Sequence, residues 1–480
     1  MTLDMILTTD WVTLIGVAIY LTIVVGCIIV VLSENRNPIR SIAWSIALLA
    51  LPGIGLLFYL FFGRSLKGHH LISRHNKRKL LHCHAARSAN LDTLPPGDPG
   101  RQIVKLAYSL THSPLTVGND IRIFTTGNEK FESLLADIKA ARKSIYLQYY
   151  IFADDALGDK IADMLIRKAS EGLKVCVIYD HVGSFSARNS FFRRMKDGGV
   201  EIHPFFRVTF PQLANRINWR NHRKIVIIDN RIGYIGGMNI AERYVKGMKD
   251  GSAWRDTHFR IEGDIVQSLI FSFAVDWYFL RIPDQKLDTF AADSAFDNDC
   301  PMQLVTSGPV DSWNNLSLCF LRAIASAKRS IFIQTPYFLP TDTLLNALEA
   351  AALANVDVRI MIPAKSDSRL LQLATYSYVT RCLKAGIKVY RYTPGMLHAK
   401  SMTVDDSFVT AGSTNFDFRS FENNFEANLL IYDKKVNAAM RDIFFTDLRQ
   451  CQKLRYSEWH SRPRLQRALE SLVRLFAPIL

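Results

Sequence analysis

The sequence is poor in cysteine and arranges what it has without pattern. Seven cysteines (Cys27, Cys83, Cys176, Cys300, Cys319, Cys382 and Cys451) are scattered over 480 residues, an odd number with no Cys-x-x-Cys pair. That argues against a disulfide or zinc framework and predicts free thiols in a reducing compartment. His82-Cys83-His84 lies in a polar stretch without further nearby ligands and is read as no metal site. Acidic residues are also in the minority. Against 59 Lys and Arg stand 44 Asp and Glu, leaving a net charge of +15, which favours an anionic partner, either nucleic acid or an acidic membrane surface.

Two runs hold no charged residue at all, residues 11–32 and 41–62. Each has about the length that crosses a bilayer core as a helix, so a transmembrane hairpin is expected. Pro52, Gly53 and Gly55 are placed to kink its second span, and Trp11, Trp44 and Tyr59 to sit near the interfaces. Residues 1–10 contain no Lys or Arg, so the basic start of a cleaved signal peptide is missing and the first span is expected to remain. Arg36 and Arg40 lie between the spans, while Arg64, Lys67, Arg74, Lys77, Arg78 and Lys79 follow the second. The positive-inside rule then puts the N-terminus and the large C-terminal part in the cytoplasm, a multi-pass arrangement.

The rest of the chain reads as a duplication. Residues 66–104 form a basic linker ending in Pro95-Pro96-Gly97-Asp98-Pro99-Gly100, a turn-forming run. Residues 105–290 and 291–462 form two halves, and residues 463–480 an amphipathic end in which Leu465, Leu469, Leu472, Val473 and Phe476 fall at helical spacing among Arg464, Arg467 and Arg474. That end suits the membrane surface or a docked position on the catalytic part equally. Residues 140–148 correspond to residues 326–334, each a basic helix end followed by a strand, and a helical pattern leads in both halves to a second strand. Alternating strands and helices predict an α/β unit in each half. Residues 264–282 are apolar but carry Asp264 and Asp276, which makes them a core helix rather than a third span. The acidic residues 282–301 connect the halves.

The most specific feature also occurs twice. His222-Arg223-Lys224 is followed by Asp229 and then Gly236-Gly237-Met238-Asn239; His398-Ala399-Lys400 is followed by Asp405 and then Gly412-Ser413-Thr414-Asn415. Residues two apart in extended chain share a face, so each His projects beside its Lys. An imidazole next to an ammonium repels a metal cation and suits a phosphate, which Lys binds while His attacks or protonates. Small residues at Gly236-Gly237 and Gly412-Ser413 leave room for backbone to approach an anion, and Asn239 and Asn415 offer amide donors to it. Asp229 and Asp405, seven residues after their His, have odd parity and are read as structural.

The doubled His-x-Lys-x4-Asp pattern resembles the signature of the phospholipase D superfamily, whose two motifs meet at one active site. The resemblance counts His222, Lys224, Asp229, His398, Lys400 and Asp405 as the catalytic set. It implies two α/β halves with mixed sheets flanked by helices, related by a pseudo-twofold axis and preceded here by the membrane hairpin. It nominates Asp256 and Glu426, which follow the two His residues by 34 and 28 positions, as the carboxylates that orient the imidazoles. It makes His222 the nucleophile and His398 the acid and base, with no metal or other cofactor. The segment from Arg36 through Trp44 and Tyr59 to Arg64, together with Gln334-Thr335-Pro336-Tyr337-Phe338 and Asn415-Phe416-Asp417-Phe418-Arg419, resembles the membrane-bound bacterial cardiolipin synthases. That resemblance implies a protein of the bacterial inner membrane that joins two phosphatidylglycerols into cardiolipin and glycerol, with anionic lipids and not nucleic acid as partners. Gln148 departs from the pattern, since many relatives carry Glu there, and puts a contact to the acceptor in question. A hydrolytic phospholipase D, a nuclease and a non-enzymatic lipid-binding scaffold are the competing readings. The hairpin speaks against the nuclease and the two intact motifs against the scaffold.

The topology has a direct check. A single cysteine introduced next to Leu480 should stay unlabelled by a membrane-impermeant thiol reagent in intact cells and react once the cells are opened.

Overall fold

A computed structural model of the chain describes residues 3–33, 38–51, 53–63, 91–95, 97–208, 218–248, 250–280 and 300–477. Most of the basic linker, His82-Cys83-His84, nearly all of the acidic connection and the last three residues lie outside the described residues. The chain divides into two compact units, residues 1–66 with 208–218, and residues 67–207 with 219–480.

In the first unit, Leu3–Ser33 is one helix, and its portion Trp11–Ser33 is the only stretch among the described residues that is long and apolar enough to cross a membrane. The second uncharged run does not form the single span expected for residues 41–62. It is divided into the helices Pro38–Ala50 and Ile54–Phe58 and a π turn at Tyr59–Gly63. Gly53 stands at the break with φ 73°, a left-handed conformation that a right-handed helix cannot continue through. Val24, Val31, Leu48 and Tyr59 pack together, and the Tyr20 hydroxyl donates to the Leu48 carbonyl at 2.9 Å.

The second unit is built on two mixed sheets. The first has seven strands in the order Asn119–Phe124, His258–Gly263, Ile232–Gly236, Ile225–Ile228, Ser144–Tyr149, Lys174–Asp180, Glu201–Phe205. The second has eight, Met302–Ser307, Glu426–Ile431, Phe408–Gly412, Ser401–Val404, Ser330–Gln334, Asp357–Pro363, Lys388–Tyr392, Cys451–Lys453. Apart from the added last strand, the orders are the same. The register repeats as well: Gln148 lies opposite Ile225 and Gln334 opposite Ser401, each partner being the residue after the motif Lys. Both central strands of each sheet are buried along their whole length, which the β-branched and aromatic runs Ser144-Ile-Tyr-Leu and Ile225-Val-Ile-Ile satisfy on both faces.

The motif aspartates end these central strands. Asp229 and Asn230 both have positive φ, as does Asp405, the conformation in which Asp and Asn are the most tolerated of the L-residues. The Asp229 carboxylate accepts from the backbone N–H of Arg142, Lys143 and Ser144 at 2.7–3.0 Å. Asp405 accepts from those of Lys328, Arg329 and Ser330 at 2.8–2.9 Å. Each therefore ties the turn after one strand to the start of its neighbour. Both carboxylates are thus placed to hold the motif strand in register.

Ile265–Phe279 is buried along most of its length, as a core helix should be. Its Asp276 accepts from Gln148 Nε2 at 2.5 Å, Asn221 Nδ2 at 3.0 Å and Arg223 Nη1 at 2.7 Å. The other half repeats this knot with Asp447, which accepts from Gln334 Nε2 at 2.8 Å and pairs with Arg255 at 2.9 Å. The Gln148 amide nitrogen is thus engaged in the interior by Asp276. Helix Gly100–Thr111 contributes Ile103, Val104 and Ala107 to the core of the second sheet, alongside Leu94 and Leu115.

Asp229→Ala or Asp405→Ala leaves three amides without their acceptor and should cost about 1–2 kcal/mol. A lower thermal midpoint in detergent, with turnover at low temperature near that of the parent, is the expected result. An unchanged midpoint with abolished turnover would place the carboxylate in the chemistry after all.

Candidate active site

Each His precedes a central strand, and the backbone around it crosses to the other half. Gly395–Leu397, just before His398, pairs in parallel with Ala253–Arg255, and the His398 N–H donates to the Arg255 carbonyl at 2.7 Å. In mirror fashion the His222 N–H donates to the Phe425 carbonyl, and the Phe425 N–H to the Arg220 carbonyl, both at 2.9 Å. Each motif His is thereby laid beside the carboxylate of the opposite half.

The side chains complete the exchange. His222 Nδ1 lies 3.0 Å from Glu426 Oε1, and His398 Nδ1 lies 2.6 Å from Asp256 Oδ2. Asp256 and Glu426 are therefore the carboxylates at the imidazoles, as nominated, but each serves the His of the other half and not the one it follows in sequence. With a carboxylate on Nδ1, the proton sits there and Nε2 keeps its lone pair. Glu426 is fixed in turn by the Ser413 hydroxyl and by Asn424 Nδ2 at 3.1 Å. Asp256 accepts from its neighbour Thr257 N–H at 2.7 Å, and a side chain at Gly237 would collide with its carboxylate. Gly237 thus makes room for a carboxylate of the protein. Gly236 is likewise pressed against His258, and Gly412 against Ala427 and Asn428.

Both lysines curl back onto their own His. Lys224 Nζ donates to the His222 carbonyl at 2.5 Å, while Lys400 Nζ donates to the His398 carbonyl at 2.5 Å and stands 2.8 Å from its Nδ1. Aromatic rings wall the imidazoles in. Tyr150 meets His222 edge-on at 4.9 Å between centroids, and Trp254 lies 5.5 Å from His398. Asn239 Oδ1 accepts from the Ile151 N–H at 3.2 Å and its Nδ2 donates to Tyr244 Oη at 3.0 Å. Asn415 Nδ2 donates to Asp417 Oδ2 at 2.9 Å. Each amide nitrogen carries a second hydrogen that these bonds do not use. Arg223, between the two cleft-facing residues, lines a separate cavity of about 120 Å³ together with Ser268, Ser272 and Phe425.

Burial sets the charge states. It pulls His398 down to about 4, with Lys400 adding to the effect and Asp256 opposing it. It lowers His222 too, against the pull of Glu426 and with Lys224 and Lys400 assisting. Lys400 falls to about 8 and Lys224 well below the ordinary lysine range, again from burial. For the carboxylates burial acts in the opposite sense and loses. Lys400 and His398 hold Asp256 below its usual value, and His222 and Lys224 hold Glu426 below its own. The groups of the site thus favour neutral imidazoles, ionised carboxylates and easily discharged ammoniums. A phosphodiester anion arriving among them favours the protonated forms of both bases.

Ser413, Asn424, Tyr150, Tyr244 and Trp254 are the participants that the sequence pattern missed. One signal was present, since Ser413 occupies the place that Gly237 holds in the first motif. Of the aromatic walls, Trp254 lies on the strand Ala253–Arg255 and Tyr244 on the helix Arg243–Lys246, and neither stood at a spacing that marked it.

Residues 134–277 and 320–448 match the family described as cardiolipin synthase, PLD-like domain. The chain belongs to the cardiolipin synthase family. Residues 21–64 match a second family, phospholipase D-nuclease N-terminal. Among curated relatives of the cardiolipin synthase family, the major cardiolipin synthase ClsA of Bacillus subtilis (strain 168) is 37% identical over 466 residues, covering 94% of this chain and 96% of its own. The cardiolipin synthase of Geobacillus sp. (strain WCH70) is 35% identical over 470 residues, covering 96% and 94%. The crystal structure of phosphatidylserine synthase from Haemophilus influenzae Rd KW20 shares the fold, with a TM-score of 0.61 at 16% identity, over 79% of this chain and 100% of that one.

If Lys400 holds a phosphate as a cation, kcat/KM should fall as pH rises through about 8. Substituting Arg, whose charge persists above pH 12, should remove that limb in whatever activity survives. A parent profile that stays level through pH 9 would count against Lys400 as the required cation.

Proposed function

We propose that the chain is a cardiolipin synthase that transfers a phosphatidyl group from one phosphatidylglycerol to another. The observation that carries the reading is the pair of buried imidazoles, each with its Nδ1 on a carboxylate, set among two lysines. Near full-length likeness to cardiolipin synthases supports the substrate.

In this mechanism His222 Nε2 attacks the phosphorus of the donor lipid, and the P–O bond to the head-group glycerol breaks. His398, protonated at Nε2 as well as Nδ1 once the phosphate anion has bound, gives its Nε2 proton to the departing oxygen, releasing glycerol and leaving a phosphatidyl-His222 intermediate. The terminal hydroxyl of a second phosphatidylglycerol then passes its proton to His398 as its oxygen attacks phosphorus. The P–N bond breaks, cardiolipin leaves and both imidazoles return to their starting states. One phosphodiester replaces another, so the exchange is close to balanced and draws on no nucleotide. Glu426 and Asp256 keep the proton on each Nδ1 and stabilise the imidazolium that forms. Lys224 and Lys400, with the remaining N–H of Asn239 and of Asn415, take the non-bridging oxygens as charge builds on them.

The domain plan that accompanies this reading keeps a membrane part at residues 1–65, a linker at 66–104, halves at 105–290 and 291–462 related by a pseudo-twofold axis, and the amphipathic end at 463–480. The broken helical segment after Ser33 would make the second crossing and leave the halves on the cytoplasmic face of the bacterial inner membrane. The apolar Leu3–Ser33 helix and the match of residues 21–64 support membrane attachment.

Purified protein in detergent, given phosphatidylglycerol alone, should release cardiolipin and glycerol in equal amounts. His222→Ala and His398→Ala should each lower the rate by about 10³-fold or more. Phosphatidic acid in place of cardiolipin would make water the acceptor and overturn the transferase reading.

A further inference from the structure

The C-terminal helix Arg464–Arg474 has three faces with different fates. At about 100° per residue, Glu470 and Val473 fall on one side, which docks. Val473 and Ala477 pack against Leu339 and Ala374, and Glu470 is clasped by Arg462 through two bonds of 2.7 and 3.0 Å. Leu465, Leu469 and Leu472 fall within about 60° of one another on a second side, and all three are exposed, Leu465 to 83%. Leu475 and Phe476, just beyond the helix, are exposed too. Arg464 and Arg474 are exposed on the third side. Docking therefore uses up a narrow stripe and leaves a row of five large apolar side chains in the open, which a surface facing only water does not keep.

The position of this row gives it a purpose. The cluster that the docked side joins has Tyr337 and Leu371 packed against it. Tyr337 Oη donates to Asp367 at 2.6 Å, and the Asp367 charge is felt by both His398 and Lys400. Asp367 lies two residues before the helix Arg369–Lys384, whose first residues Arg369 and Leu370 are exposed. Near the other imidazole, Phe185 is 80% exposed on the loop whose Ser184 hydroxyl donates to the Tyr150 carbonyl, and the Tyr150 ring packs on His222. Exposed apolar groups thus stand on elements bordering both imidazoles, and exposed arginines accompany those beside His398.

We propose that the outward face of the C-terminal helix, Leu465, Leu469, Leu472, Leu475 and Phe476, inserts into the surface of an anionic bilayer and seats the mouth of the catalytic cleft on it. Arg369, Arg464 and Arg474 match the negative head groups, while the leucines reach the acyl boundary. The inference rests on the reading above only in taking the substrate to be a membrane lipid. It makes the helix the element that lets a diacyl substrate pass from bilayer to cleft without exposing its chains to water.

Full-length protein in vesicles containing phosphatidylglycerol with brominated acyl chains provides the test. Leu469→Trp and Leu472→Trp should each show quenching above the parent protein, and Leu353→Trp, an exposed site on another helix, should not. Quenching at Leu469 and Leu472 no greater than at Leu353 overturns the proposal, and chemical cross-linking through this face between two chains would assign it to a second copy instead. Equal quenching in purely zwitterionic vesicles would overturn the part given to the arginines. A variant with Leu465, Leu469 and Leu472 all changed to Glu should keep the parent's thermal midpoint and its rate on a short-chain, monomeric phosphatidylglycerol, and lose at least tenfold in kcat/KM on vesicles. Because quenching requires no turnover, a quenched but inactive protein would refute the synthase reading and leave the membrane face intact.

Discussion

The structure depends on an exchange: each half of the catalytic unit supplies the carboxylate for the other half's histidine. Glu426 lies on His222 and Asp256 on His398, and the backbone is threaded to match, with Leu397 beside Arg255 and Phe425 beside Asn221. A buried carboxylate without a cationic or hydrogen-bonding partner is costly. Separating the halves would leave two such groups stranded, along with two lysines already near the limit of holding their charge. The same contacts that prepare the imidazoles therefore hold the two sheets together.

Around that exchange the two halves differ in detail. The first uses a Gly at position 237 and the shorter Asp256, backed by a neighbouring amide; the second uses Ser413 and the longer Glu426, held by a hydroxyl and an amide side chain. His222 is thus faced by a carboxylate anchored from two sides. His398 Nδ1 is approached by the ammonium of Lys400 and the hydroxyl of Tyr244 as well as by its carboxylate. A duplicated frame has been given two electrostatic settings, as a reaction with a nucleophile and a separate proton carrier requires.

Much of this was legible in the residues because the relevant signals are local. The His-x-Lys spacing fixes which side chains share a face, and the seven-residue step to Asp229 and Asp405 turns them away. The matching strand runs foretold two sheets of like order. What was not legible depends on contacts between distant segments. Nothing in the interval from His222 to Asp256 reveals that the carboxylate belongs to the other histidine, since the crossing is made by two short strand pairs of three residues or fewer. Gln148 suggested an altered acceptor contact, yet the buried Asp276 claims it, and no spacing rule links positions 148 and 276. The break at Gly53 was signalled by composition, but its consequence, a segmented helix in place of a continuous one, follows from a backbone angle that sequence alone does not set.

The crossed arrangement also bears on how such a chain can exist safely in its host. A protein that breaks phosphodiesters while attached to a lipid bilayer threatens that bilayer during its own synthesis, when the N-terminal half has emerged and the rest has not. At that stage His222 has no Glu426 to hold its proton on Nδ1, and Asp256 has no imidazole to hold. The nascent half carries a complete motif but an unprepared base. Both imidazoles gain their carboxylates only when translation has delivered residue 426 and the sheets have met, so the site is assembled last of all.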